Sequence, residues 1–231
     1  MSYTELSALG EFGLIDHLTR DIRLKNASTR KGVGDDAAVL DYEGKRVLVS
    51  TDMLIEGVHF DLAYTPLKHL GYKAGAVNAS DIYAMNGTPR QITLSLALSN
   101  HASIEGMEGF YAGVYLACER YGIDLVGGDT TSSRTGMCIS VTVLGEAEEE
   151  EVVYRNTAAP NQLICVSGDL GAAYMGLQLL EREKVVFQGN DRTQPDFAGY
   201  EYILERQLKP EARRDIVELL REKGVRPTAM I

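Results

Sequence analysis

The chain has 231 residues, 45% hydrophobic, 24% charged and 7% aromatic, and its 23 Lys and Arg against 33 Asp and Glu give a formal net charge of -10. That mixture fits a folded globular protein and excludes the disordered, collagen-like and disulfide-scaffold classes. The length falls between one large domain and two small ones, and an acidic chain with no basic run beyond a pair such as Arg213-Arg214 argues against a nucleic-acid partner.

Ser2 to Arg23 carries apolar residues Leu6, Leu9, Phe12, Leu14, Ile15 and Leu18 at helical spacing and reads as a helix. A polar loop, Asn26 to Gly32, follows, then short strands over Val33–Leu40 and Arg46–Ser50. Thr65 and Pro66 predict a helix start, with the helix running to Met85 and stopping at Asn86-Gly87. Ile92–Leu98 alternates with period two and predicts a strand. Ser103 predicts the cap of a helix whose buried stripe is Ile104, Met107, Tyr111, Val114 and Cys118. Ile123–Val126 and Met137–Glu146 read as strands, and the acidic run Glu146 to Glu151 as a solvated turn. A domain boundary is expected near 148–160, giving domains 1–148 and 149–231. Beyond it, Gln162–Ser167 reads as a strand, Leu170–Leu180 as a helix opened by a turn at Gly168, and Val185–Phe197 as a polar loop. Helices are expected at Tyr200–Leu208 and Glu211–Lys223, and a strand-like segment at Arg226–Ile231.

No stretch approaches the roughly 20 apolar residues that span a bilayer. The opening Met1-Ser-Tyr-Thr-Glu-Leu lacks the basic and apolar regions of a signal peptide, so a cytoplasmic protein without a membrane partner is expected. Cys118, Cys138 and Cys165 are widely spaced among apolar residues and read as reduced core thiols. With no Cys-x-x-Cys or His-Glu-x-x-His spacing, a zinc site is not expected.

Four segments place carboxylates where the apolar pattern would not: Gly34-Asp35-Asp36, Ser50-Thr51-Asp52, Asp81 on the apolar stripe between Val77 and Met85, and Gly127-Gly128-Asp129-Thr130 at a strand end. A carboxylate facing a core is costly unless a cation or donors compensate it. Asn78, three residues before Asp81, projects on the same side and is a candidate to share a ligand. Oxygen-only donor sets favour Mg2+, and glycines at a strand end allow a turn whose N–H groups approach phosphate. Several Mg2+ ions point to a substrate carrying several phosphates. The chain has no Walker A loop, no protein-kinase signature set and no Gly-x-Ser-x-Gly elbow.

In order along the chain, Glu11-Phe-Gly-Leu-Ile15, Gly34-Asp-Asp-Ala-Ala-Val39, Thr51-Asp-Met-Leu-Ile-Glu-Gly-Val-His-Phe60, Leu70-Gly-Tyr-Lys73, Val77-Asn-Ala-Ser-Asp-Ile82 and Leu125-Val-Gly-Gly-Asp-Thr-Thr131 resemble thiamine-monophosphate kinase, of the aminoimidazole-ribonucleotide-synthetase-like superfamily. The resemblance implies an α+β (mixed α/β) fold, an N-terminal domain of strands with packed helices that closes a β-barrel across a homodimer, and then the start of a second α/β domain. It implies ATP-dependent phosphorylation of thiamine monophosphate to thiamine diphosphate, with several Mg2+ ions and no covalent intermediate or general base. By motif, Asp35, Ser50, Thr51, Asp52, Asp81 and Asp129 resemble magnesium ligands. Tyr111, Gly128, Asp129 and Arg155 resemble ATP contacts, Gly128 in a phosphate-binding turn, and His59 a thiamine-phosphate contact; Asp36 reads as a hydrogen-bonding neighbour. Members of that family continue past the position of Ile231 into an Asp-x-Ser-Asp-Gly segment, so an incomplete second domain is expected. Two alternatives stand beside the kinase: another ATP-using member of the superfamily, and a non-catalytic dimer that binds nucleotide and Mg2+. No Cys precedes Cys118, as a selenophosphate synthetase requires, and Cys165 is far from a C-terminal position, as hydrogenase maturation requires.

Overall fold

The computed structural model describes residues 13, 29–31, 34–42, 44–99, 102–189 and 195–231; the helix expected over 2–23 lies outside them. Strands β1 (Thr29–Lys31), β2 (Ala38–Tyr42), β3 (Lys45–Ile55), β4 (Thr88–Leu98), β5 (Asp124–Ser132) and β6 (Cys138–Ala147) form one sheet in the order β1-β2-β3-β6-β4-β5. Every neighbouring pair is antiparallel except β4 and β5, which run parallel. A parallel pair needs a crossover. Here it is helix α2 (Ile104–Tyr121), which packs on α1 (Leu67–Ala84) against one face of the sheet. The mixed α+β class expected from the sequence is the one observed.

Side chains alternate along each strand. Leu48, Ser50 and Leu54, Ile92, Leu94 and Leu96, and Ile139, Val141 and Val143 are buried beneath the helices. Between them, Thr51, Met53, Ile55 and Ser95 are exposed on the opposite, open face. The strand β3 runs past its expected end at Ser50 to Ile55, because β6 pairs with it from Arg46 opposite Ala147 to Ile55 opposite Cys138. Strand β1 forms where a loop was expected, by pairing with β2.

Helix α1 follows Pro66 directly, with Thr65 buried rather than capping it, and stops at Met85 before Asn86 takes a positive φ of 57°. The start of α2 is as expected, the Ser103 hydroxyl accepting the Gly106 N–H at 3.0 Å. Its buried face differs from expectation: Phe110, Gly113, Val114, Ala117 and Tyr121 point inward while Ile104 is 76% exposed. The cause is the close crossing of the two helices. A Cβ on Gly71 would lie 1.9 Å from the Phe110 carbonyl oxygen, and one on Gly113 1.9 Å from that of Lys68. The glycine face must therefore turn inward, leaving Ile104, Met107 and Tyr111 to line a cavity of about 580 Å3 with Leu98 and Tyr115.

After β6 a 3-10 turn (Glu149–Glu151) leads to Val152 and Val153, both buried, and the Val153 N–H donates to the Met85 carbonyl at 3.1 Å. The strand expected at 162–167 does not form. Leu163 and Ile164 are 93% and 95% exposed, and no described strand pairs with them. Helix α3 (Ala172–Gly189) continues well beyond Leu180 into the expected loop, and α4 (Glu201–Leu208) and α5 (Arg214–Glu222) lie inside the helices expected there. Arg226–Ile231 forms no strand. The segment before α5 docks on the helix layer through Glu211, whose two carboxylate oxygens accept from the hydroxyls of Tyr72 (2.8 Å) and Tyr121 (2.9 Å). Among the described residues no helix is long and apolar enough to cross a membrane.

Candidate functional site

Ser50 and Asp52 follow one another on the covered face of β3, where α1 crosses it. The Ser50 hydroxyl donates to Asp81 Oδ2 at 2.6 Å, tying strand to helix. Burial pushes the Asp81 carboxyl up to about 6; the Ser50 hydrogen bond opposes that, and the charges of Asp52 and Asp36 add to it. Asp52 is likewise raised by burial, with His59 pulling it back. Three carboxylates thus share one field, balanced in part by Arg155 at Asp36 and by His59 at Asp52. Asn78, 1% exposed, spends its side chain on the protein: its amide donates to the Ala74 carbonyl at 2.9 Å and its Oδ1 accepts the Asp52 N–H at 3.2 Å. It sets the register of α1 on β3 instead of supplying a ligand.

The adjacent acids separate in role. Asp35 accepts the N–H of Asp36 at 3.0 Å and of Arg155 at 3.4 Å, and its Oδ2 lies 3.2 Å from Lys31 Nζ. Asp36 pairs through Oδ1 with Arg155 Nη1 at 3.2 Å, while its Oδ2 is buried without a hydrogen bond. Burial raises the Asp36 carboxyl, Arg155 lowers it and Asp35 raises it again. Asp36, expected to be only a neighbour, is therefore the acid that acts on Asp81, and Asp35 is the one engaged by a lysine. Nothing in the doublet distinguishes the two; their order along an extended chain does.

His59 is exposed on a turn at the end of β3. Its N–H donates to the Ile55 carbonyl at 2.9 Å, and the Ile55 N–H donates to its Nδ1 at 3.1 Å.

Tyr111, Gly128 and Asp129 meet in a second place, an open cavity of about 530 Å3 walled by Leu94 and Leu125 to Thr130. Gly127 and Gly128 do not make the expected turn. They are inside β5, where a Cβ on Gly128 would lie 1.8 Å from the Leu94 carbonyl oxygen, so only glycine lets β5 lie against β4. Cross-strand register aligns Asp129 with Ser95, Ser140 and Met53, one row from Asp52. The two carboxylates consequently emerge on opposite faces, on strands about 14 Å apart at ~4.8 Å per strand. Thr51 also belongs to the open face, its hydroxyl donating to the Val141 carbonyl at 3.1 Å and accepting from Thr142 at 3.2 Å. Arg155 sits with Asp36, away from Tyr111 and Gly128.

The covered-face group suits a hard cation. It offers oxygen donors only, including a buried orphan on Asp36, and carboxyls raised chiefly by burial, with neighbouring carboxylates adding to the shift at Asp81 and Asp36. Among the described residues no three His, Cys, Asp or Glu converge on one point. Mg2+ is compatible with that, because it keeps water and phosphate oxygens and takes one or two carboxylates from the protein. The sequence reading missed the Asn78 anchor and the part played by Glu56, described below; the motif from Thr51 to Phe60 contained the second but assigned it nothing.

Residues 34–147 match the family described as AIR synthase related protein, N-terminal domain. The thiamine-monophosphate kinase of Bacillus subtilis (strain 168) is 35% identical over 214 residues, covering 91% of this chain and 63% of that protein. That of Aquifex aeolicus (strain VF5) is 38% identical over 213 residues, covering 92% and 63%. Among solved structures, AaThiL complexed with AMPPCP and TMP superposes with a TM-score of 0.80 at 36% identity, over 95% of this chain and 65% of that one. The chain spans about 63% of the length of these curated relatives. Motifs, fold and relatives agree, and the chain is similar to thiamine-monophosphate kinases over most of its own length.

Proposed function

We propose that this chain carries the phosphate-handling part of an ATP-dependent thiamine-monophosphate kinase, acting as a cytoplasmic homodimer whose sheets close a shared barrel. In this reading residues 1–148 form the domain that binds ATP and Mg2+ and dimerises, and 149–231 begin a second. The γ-phosphoryl of ATP passes directly to the phosphate of thiamine monophosphate, giving thiamine diphosphate and ADP. The observation that carries the reading is the group formed by Asp36, Ser50, Asp52 and Asp81, whose oxygens are buried together and only partly compensated. These residues, with Asp35 beside them and Thr51 and Asp129 across the sheet, would hold Mg2+, which supplies neutralisation of the phosphate charge. Tyr111, Gly128 and Asp129 receive the nucleotide in their cavity, Arg155 approaches its phosphates from the Asp36 side, and the His59 ring N–H donates a hydrogen bond to a phosphate oxygen of thiamine monophosphate.

The test is titration of the 231-residue chain with a non-hydrolysable ATP analogue, with and without Mg2+, beside an assay of thiamine diphosphate formation. Mg2+-dependent binding and turnover are expected, with Asp52→Asn lowering turnover at least about 100-fold. Turnover unchanged in Asp52→Asn would overturn the metal assignment. Binding without turnover would make the chain a nucleotide- and metal-binding module only.

A further inference from the structure

We infer that Glu56 is a positioning residue that holds His59 in the tautomer with its proton on Nε2; the use of that proton toward phosphate rests on the function proposed above. Glu56 follows Ile55, the last residue of β3's ladder, and precedes Gly57, where φ is +80° and the chain turns away. Its N–H donates to the Met137 carbonyl at 3.0 Å, as an antiparallel ladder requires. The return bond is unusual. The Met137 N–H goes at 2.7 Å to Glu56 Oε2, so the side chain stands in for the backbone carbonyl. That substitution frees the Glu56 backbone to leave the sheet and form its bridge with Phe60 while β6 stays paired to its end. Gly136 completes the seat, since a Cβ there would lie 3.1 Å from Oε2.

The turn so released returns His59 over the end of β3. Because the Ile55 N–H donates to Nδ1, that nitrogen carries the lone pair and the neutral ring's proton sits on Nε2. On its far side the same loop is tied to α3 by the Lys184–Asp61 ion pair at 2.5 Å and the Tyr64–Glu181 hydrogen bond at 2.6 Å; on the sheet side the Val58 and His59 N–H groups bond the Ile55 carbonyl, and Glu56 is the side-chain clasp that joins the turn to β6. Releasing it frees the Ile55 amide from His59 and lets both tautomers form.

Long-range proton–nitrogen correlation of the imidazoles in the 231-residue chain tests this, with His59 identified among four histidines by its loss in His59→Gln. The wild type is expected to show the Nε2–H tautomer, and Glu56→Gln, whose amide oxygen reaches the Met137 N–H, to keep it. Glu56→Asp keeps the charge but is one methylene too short, and is expected to give mixed tautomers and thiamine monophosphate binding about tenfold weaker. Glu56→Ala is expected to match it; if that variant does not fold, the Asp and Gln variants decide between them. A fixed tautomer in Glu56→Asp, or a lost one in Glu56→Gln, would overturn the inference. A wild-type His59 that holds its tautomer yet ignores thiamine monophosphate would support the clasp and overturn the substrate assignment instead.

Discussion

On its helix-covered face the sheet presents Leu48, Ile92, Leu94, Ile139, Val141 and Val143, interrupted on β3 by Arg46, Ser50 and Asp52. On the open face the same strands present Thr51, Met53, Ser95 and Asp129. One face is an apolar core into which carboxylates intrude, and the other a polar floor without a cover among the described residues. The difference teaches where a charge is expensive. Asp81 and Asp52 are raised by burial, so a cation is worth most to the protein on the covered face.

The comparison breaks first at the helix crossing. Gly113→Ala drives a methyl into the Lys68 carbonyl and should cost about 3 kcal/mol in urea unfolding, whereas Met53→Ser on the open face should stay within about 0.5 kcal/mol. A comparable loss in Met53→Ser would mean that the open face is covered in solution. A smaller effect concerns pH. With its folded value at about 6 against an ordinary 3.8, Asp81 keeps a proton in the folded state that the unfolded chain has released, so Mg2+-free stability falls as pH rises through that window. Melting temperatures in Mg2+-free buffer should thus be lower at about pH 7 than at about pH 5, and both Asp81→Asn and added Mg2+ should shrink the gap. A gap of full size in Asp81→Asn would remove Asp81 from the account. The smallest expected effect lies at the helix start bordering the cavity of about 580 Å3: Ser103→Ala should cost about 1 kcal/mol, measured by thermal unfolding, and leave the covered face unaltered.

Periodicity was legible wherever the neighbour that buries a face lies nearby in the described chain. Ile92–Leu98 and Met137–Glu146 are strands because each alternates against the same helices, and Ser103 and Gly122 bound α2 by local backbone chemistry alone. Non-local demands were not legible. Inward rotation of Gly113 depends on where it meets the Lys68 carbonyl of the crossing helix, and the length of β5 on whether Leu94 leaves room for Gly128. Leu163 and Ile164 show the converse: apolar residues with strand propensity stay extended and exposed without a strand beside them. For the site, Ser50, Asp52 and Asp81 were readable as a group. Asp36's place beside them was not, because which partner each of two adjacent acids takes is decided by Lys31 and by an arginine 119 residues away.

The strand order has a kinetic consequence. Residues Thr29 to Ile55 can pair among themselves, and β4, α2 and β5 form a unit within their own stretch; among the described strands β6 is the one that joins these two pieces within the sheet. Its pairing with β3 sets Ser50 against Val143 and so closes a loop of most of the domain, making it the slow step in assembly. A nascent chain that has not yet made β6 holds two sheets with bare inner edges, the state most open to aggregation. Under the function proposed above, magnesium affinity at Asp52 and Asp81 would then arise late in folding, and its appearance would time the closing of the sheet.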